Sequence, residues 1–94
     1  MDKIILKYQL EEVYFQHIEM PKGAEILSVQ VQRDIPCIWA LVNPENDNEK
    51  RGFEIFGTGS LIQYDMGVER KYIGTIQRFG GNIIWHVFER VDGL

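Results

Sequence analysis

Apolar and polar positions alternate along most of the chain. Between Lys3 and Leu10, Ile4, Leu6, Tyr8 and Leu10 fall on one face, while Lys3, Ile5, Lys7 and Gln9 fall on the other. A period of two marks a half-buried strand. Glu11-Glu12 interrupts it, and Val13 to Met20 reads as a second strand, favoured over helix by its β-branched and aromatic content. Met20-Pro21-Lys22-Gly23 has turn chemistry, because proline presets φ and glycine accepts the left-handed conformation. Glu25 to Gln32 is the cleanest alternation, with Leu27, Val29 and Val31 opposed to Ser28, Gln30 and Gln32. Arg33-Asp34-Ile35-Pro36 makes a tight connection to Cys37–Val42, which is apolar on both faces, as a central strand is.

Asn43 to Glu49 is polar and reads as a loop. Gly52 to Phe56 is a fifth strand, running into the corner Gly57-Thr58-Gly59-Ser60. Ser60 to Arg70 shows no period and reads as a long loop. Tyr72–Phe79 and Asn82–Val91 complete the set, joined by a glycine turn at Gly80-Gly81 or Gly81-Asn82. The pattern predicts an all-β fold of about seven short antiparallel strands, arranged as a small sandwich or barrel-like domain.

Composition narrows the picture. The chain has 94 residues, so residues 1–94 form a single domain with one core. It is 45% hydrophobic and 26% charged, the balance of a globular domain rather than a disordered one. A formal charge of -4 lacks the basic surplus that duplex DNA or RNA selects, so no duplex nucleic acid is expected. A lone cysteine, Cys37, leaves no internal disulfide and fits a reducing cytosol. The first residues hold no long apolar run, so neither a signal peptide nor a membrane span is expected.

Candidate chemistry centres on Gly57-Thr58-Gly59-Ser60. Successive backbone N–H groups of a glycine turn can form an anion nest, although glycine more often marks a bend where a sheet turns. The lysine and following helix of a phosphate-binding loop are missing, since Leu61-Ile62-Gln63-Tyr64 follows. If strands five, six and seven are neighbours, Arg70, Lys71, Arg78 and Arg90 would gather at that corner and supply positive charge for a small phosphate ligand. His17 and His86 are the two histidines and lack the close ligand spacing of a zinc site, so no metal and no cofactor is expected. His86, between Trp85 and Val87, reads as a structural imidazole or as a ligand contact. Trp39 and Trp85 read as core residues, although indoles also stack on planar ligands. Tyr14, Tyr64 and Tyr72 are the tyrosines suited to a protein interface. Acidic Glu11, Glu12, Glu45, Asp47 and Glu49 fall in turns and could face a basic partner.

Five blocks occur in order: Met20-Pro21-Lys22-Gly23-Ala24 with Ile26 to Gln30, Trp39 to Val42, Phe53 to Gly59, Tyr72 to Thr75, and Trp85 to Glu89. Together they resemble a family of small, uncharacterised all-β domains of tailed phages and prophages, over roughly residues 3 to 90. The resemblance implies a viral accessory protein in the cytoplasm of the bacterial host and carries no chemistry with it. Three functions follow as expectations. The first is a non-enzymatic protein that binds and inhibits a host defence protein. The second is a binder that sequesters a small nucleotide signal at the Gly57–Ser60 corner, with the Ser60–Lys71 loop as lid. The third, an enzyme using His86 or His17 as general base, is the least supported. Exposed sheet edges also predict a homodimer.

Overall fold

The computed structural model describes residues 2–63 and 68–92. Its strands are β1 (Ile4–Gln9), β2 (Phe15–Pro21), β3 (Glu25–Gln32), β4 (Ile35–Val42), β5 (Asn48–Gly57), β6 (Val68–Arg78) and β7 (Ile83–Asp92). A single 3₁₀ turn, Phe79–Gly81, joins the last two. The strands form two antiparallel sheets, one in the order β1-β4-β3 and one in the order β2-β5-β7-β6. Packed face to face they make a sandwich, a slab with Cα extents of 42 × 37 × 16 Å. Among the described residues no helix is long and apolar enough to cross a membrane.

Alternation explains the core. The inner face of the first sheet carries Ile38, Ala40 and Val42, all fully buried, with Val29 beside them. Phe53, Ile55, Ile76 and Val87 face them from the second sheet, with Met20 closing the layer from β2. β4 is central, as its two apolar faces require.

Two bulges reset the alternation. Between β3 and β4 the register shifts from Ile26↔Ala40 to Ser28↔Trp39, so Leu27 has no partner. Ile26, not Leu27, therefore joins Val29 and Val31 against the core, and Leu27 is exposed. This corrects the expected face of Leu27: an inserted residue moves every earlier side chain to the other face. The second bulge lies at Ile73, between Tyr72↔Phe88 and Gly74↔Val87. It brings β6 so close to β3 that a Cβ on Gly74 would lie 2.9 Å from Val29 Cγ1.

The turns also refine the boundaries. Arg33 and Asp34 both take positive φ, 51° and 65°, so a two-residue turn suffices and Ile35-Pro36 belongs to β4. Asn48 and Glu49 extend β5 along β2 and are not loop residues. β6 begins at Val68, because Val68–Lys71 pairs with Glu89–Asp92 of β7, so the segment after Ser60 is shorter than expected. Tyr64 lies outside the described residues.

Candidate functional site

Gly57-Thr58-Gly59-Ser60 closes as a turn in which the Ser60 N–H donates to the Gly57 carbonyl at 3.1 Å. Gly59, at φ 87°, occupies the third position, which calls for glycine in this turn type. Antiparallel pairing sets Phe56 opposite His86 and His86 opposite Thr75, on the outer face of the second sheet. His86 thereby bridges the corner to β6. Its Nε2 lies 2.8 Å from Thr58 Oγ1, and its Nδ1 lies 3.0 Å from Thr75 Oγ1. Thr75 Oγ1 is in turn 2.5 Å from the Tyr72 hydroxyl. Thr58, His86, Thr75 and Tyr72 thus form one hydrogen-bonded chain, and both imidazole nitrogens are held by threonine hydroxyls.

The expected gathering of positive charge at that corner does not occur, although β5, β7 and β6 are neighbours. Arg70 and Arg90 lie level with Gly52, five residues along β5 from Gly57. At about 3.4 Å per residue that is roughly 17 Å away. Arg70 turns instead to Glu54, donating from Nε to Oε1 at 2.7 Å and from Nη2 to Oε2 at 3.4 Å. Lys71 lies on the other face, opposite Glu89. Arg78 is buried, pairs with Glu12 and lies over the Phe79 and Trp85 rings. Of the basic residues singled out from sequence, none reaches the glycine corner; His86 does.

Arg70 organises a small aromatic cluster on the outer face. Glu54 is fully buried there. It receives both Arg70 contacts and a hydrogen bond from the Tyr14 hydroxyl at 3.2 Å. The carboxylate holds the Arg70 pKa above its ordinary value, hydrogen bonding outweighing the opposing effect of burial. Phe56 meets Tyr14 and Phe88 edge-on at 5.4 and 5.8 Å, and Tyr72 meets Phe88 at 5.4 Å. Tyr14 and Tyr72 therefore pack on this cluster while remaining 58% exposed, so each offers a ring and a hydroxyl to the outside. The acidic residues do not form one face: Glu12 is taken by Arg78, and Glu49 accepts the Gly23 N–H at 3.1 Å.

A larger recess lies where sequence reasoning did not look. β5 and β7 pair only from Gly52↔Arg90 to Gly57↔Trp85. Beyond that point β5 continues with β2 alone and β7 with β6 alone, so the second sheet forks. A cleft of about 470 Å³ occupies the fork. Phe15, His17, Lys50 and Arg90 line it from the outer-face side; Arg51, Lys71 and Glu89 line it from the inner side. Gly52 shapes the wall, because a Cβ there would come within 3.0 Å of the Phe15 ring. Arg51 ties the floor together: its Nε and Nη2 bond the Glu89 carboxylate, the latter at 3.1 Å, and its Nη1 donates to the Ala24 carbonyl at 2.9 Å. The Glu89 hydrogen bond raises the Arg51 pKa, again against burial, so the guanidinium stays charged across the working pH range. Lys50-Arg51 and Lys71 are the sequence signal, but only the strand order shows that they flank one opening.

The remaining feature is β1. It is an edge strand, paired with β4 alone. Ile4 and Leu6 stay 44% and 36% exposed on its inner side and Ile5 is 58% exposed on its outer side, so neither face is fully covered over Ile4–Leu6.

Among the described residues no three histidine, cysteine or acidic side chains converge to hold a metal ion. No curated protein and no solved structure matches the chain. The model of one family, a domain of unknown function designated DUF7352, matches residues 1–93, and the chain belongs to that family.

Proposed function

We propose that this domain is a non-enzymatic binding protein that engages another protein through β1. The observation that supports this reading is the edge itself. A stretch that is apolar on both faces, as Ile4-Ile5-Leu6 is, and hydrogen-bonded on one side only is a template for a further strand, and proteins ordinarily blunt such edges with charge, proline or a covering loop. Within Ile4-Ile5-Leu6 there is neither charge nor proline, and Lys3 and Lys7 only flank it. Strand addition would satisfy the free backbone groups while side chains of the incoming strand meet the isoleucines, a recurring mode of peptide recognition.

The ordered sequence blocks support a setting in tailed phages and prophages, and with it the bacterial cytoplasm as the place of action. In that setting the partner is a host protein, and inhibition of a host defence component is the consequence of occupying its surface. A second copy of the chain is the competing occupant of the same edge.

The test compares wild type with Ile5→Lys, which places a charge on the edge without touching the core. Affinity capture from a bacterial lysate should enrich a host protein with wild type and not with the variant, and purified wild type should inhibit the captured protein. Loss of inhibition with the variant would support the reading. Equal capture by both forms, or capture with no effect on the partner's activity, would overturn it. A particle of twice the chain mass in light scattering, reduced to a monomer by Ile5→Lys, would assign the edge to self-association instead.

A further inference from the structure

We infer that the fork cleft of the second sheet binds a nucleotide, its phosphates held by the lysines and its planar base placed against Phe15. The inference goes beyond the protein-binding edge and uses the opposite part of the molecule: β1 belongs to one sheet and the cleft to the other.

Charge carries the first half of it. The whole chain has a formal charge of -4. Yet the cleft is lined by four cations, Lys50, Arg51, Lys71 and Arg90, against two carboxylates, Glu49 and Glu89. Both carboxylates are engaged within the protein, Glu89 by Arg51 and Glu49 by the Gly23 N–H and Arg51. Lys50 and Lys71 are exposed and belong to different ribbons, so they line the opening from opposite sides, Lys50 from the outer face and Lys71 from the inner one. Glu19, the ladder partner of Lys50, lies outside the lining. A positive recess on a negative surface concentrates small anions, while the net charge of the domain disfavours a long polyanion.

Shape and apolar surface carry the second half. The volume, about 470 Å³, lies in the range of small-ligand pockets. One wall is aromatic: Phe15 and His17 meet edge-on at 4.8 Å, and the Arg90 guanidinium lies 5.6 Å from the Phe15 ring. A ring with a nearby guanidinium is a common base-stacking surface. A second hollow of about 200 Å³ shares Arg51, Lys71 and Glu89 with the first and runs on toward Ile26 and Leu27, which gives room for a ligand longer than one ring. Inorganic phosphate would use only the lysines; a base alone would use only the wall. A nucleotide uses both.

Calorimetry with ADP, GDP, CDP and UDP at low salt tests this, with adenosine and inorganic pyrophosphate as controls. At least one diphosphate should bind more tightly than adenosine and pyrophosphate. Lys50→Gln and Lys71→Gln should each weaken it about tenfold, the scale of one charge-assisted hydrogen bond. Phe15→Leu should weaken the nucleotide and leave pyrophosphate unchanged. Both lysines are exposed, so their variants keep the fold, which circular dichroism checks. No binding by any of the four at millimolar concentration would overturn the inference. So would adenosine or pyrophosphate matching the best diphosphate, or binding that Thr58→Ala abolishes and the lysine variants leave intact, which would return the ligand to the glycine corner. Because Ile5→Lys leaves the cleft untouched, its nucleotide affinity should equal that of wild type, whatever the fate of the protein-binding reading.

Discussion

At the scale of single residues, two close contacts can be tested, one between the sheets and one on the outer face. Gly74 exists because Val29 fills the place its Cβ would take. Gly74→Ala should therefore cost about 1–3 kcal/mol by overpacking. Combined with Val29→Ala it should cost less than the two single changes added, since the smaller residue opens the space; urea unfolding of the four proteins measures that coupling. Glu54 and Arg70 make the second case. Glu54 is fully buried, whereas the Arg70 side chain keeps 14% of its surface exposed. Removing either partner of a buried pair costs about 3–5 kcal/mol. Arg70→Ala should be the worse of the two, because the carboxylate cannot reach water and the guanidinium can; a larger loss from Glu54→Ala in urea unfolding would contradict this. Tyr8 gives a pH signature. Burial raises its pKa above the ordinary 10.0, so its contribution is complete below that pH and is lost as pH climbs through the raised value. Tyr8→Phe should make the stability curve flatter than wild type above pH 10 and leave it parallel below, as thermal melts across that range would show.

At the scale of elements, legibility in the sequence followed period and failed at bulges and pairing. Glu25–Gln32 was readable to the residue because its alternation is bounded by turn chemistry on both sides. Its inner face was not, since Leu27 interrupts the phase and nothing in the residue itself announces an insertion. The starts of β5 and β6 are not legible because Asn48–Arg51 and Glu69–Lys71 are polar. Such strands are specified by their neighbours, not by burial. The glycine corner and its histidine were visible as residue types, and cross-strand register explains why His86 meets Thr58. The fork was not visible at all, because it depends on which strands stop pairing. Bulge chemistry adds an element-scale prediction: deleting Leu27 would join Ile26↔Ala40 directly to Ser28↔Trp39 in regular pairing and leave Ile26 on the core face and Glu25 on the outer one. The deletion variant should therefore still unfold cooperatively, and loss of a cooperative transition in a thermal melt would contradict the bulge assignment.

At the scale of the whole molecule, the two sheets have separate surfaces available for separate tasks. The first offers a backbone edge, the second a charged recess, and the sandwich core between them couples the two only through rigid packing. Occupancy of the recess should accordingly raise the melting temperature, since a ligand bound to the folded state alone stabilises it, without changing affinity at the edge. A shift in partner affinity on adding nucleotide would reveal coupling across the core.

The forked sheet has a consequence for how the protein breathes. Its two ribbons, β2-β5 and β7-β6, are joined by the six residue pairs from Gly52↔Arg90 to Gly57↔Trp85. Those pairs are a waist, and the paired ends beyond it are tines anchored on one side only. Amide hydrogen exchange should therefore grade along the strands rather than between them. Protection should be deepest at Phe53–Phe56 and Trp85–Glu89, and labelling should come early at Lys50–Arg51 and Val91, on the very backbone that borders the opening.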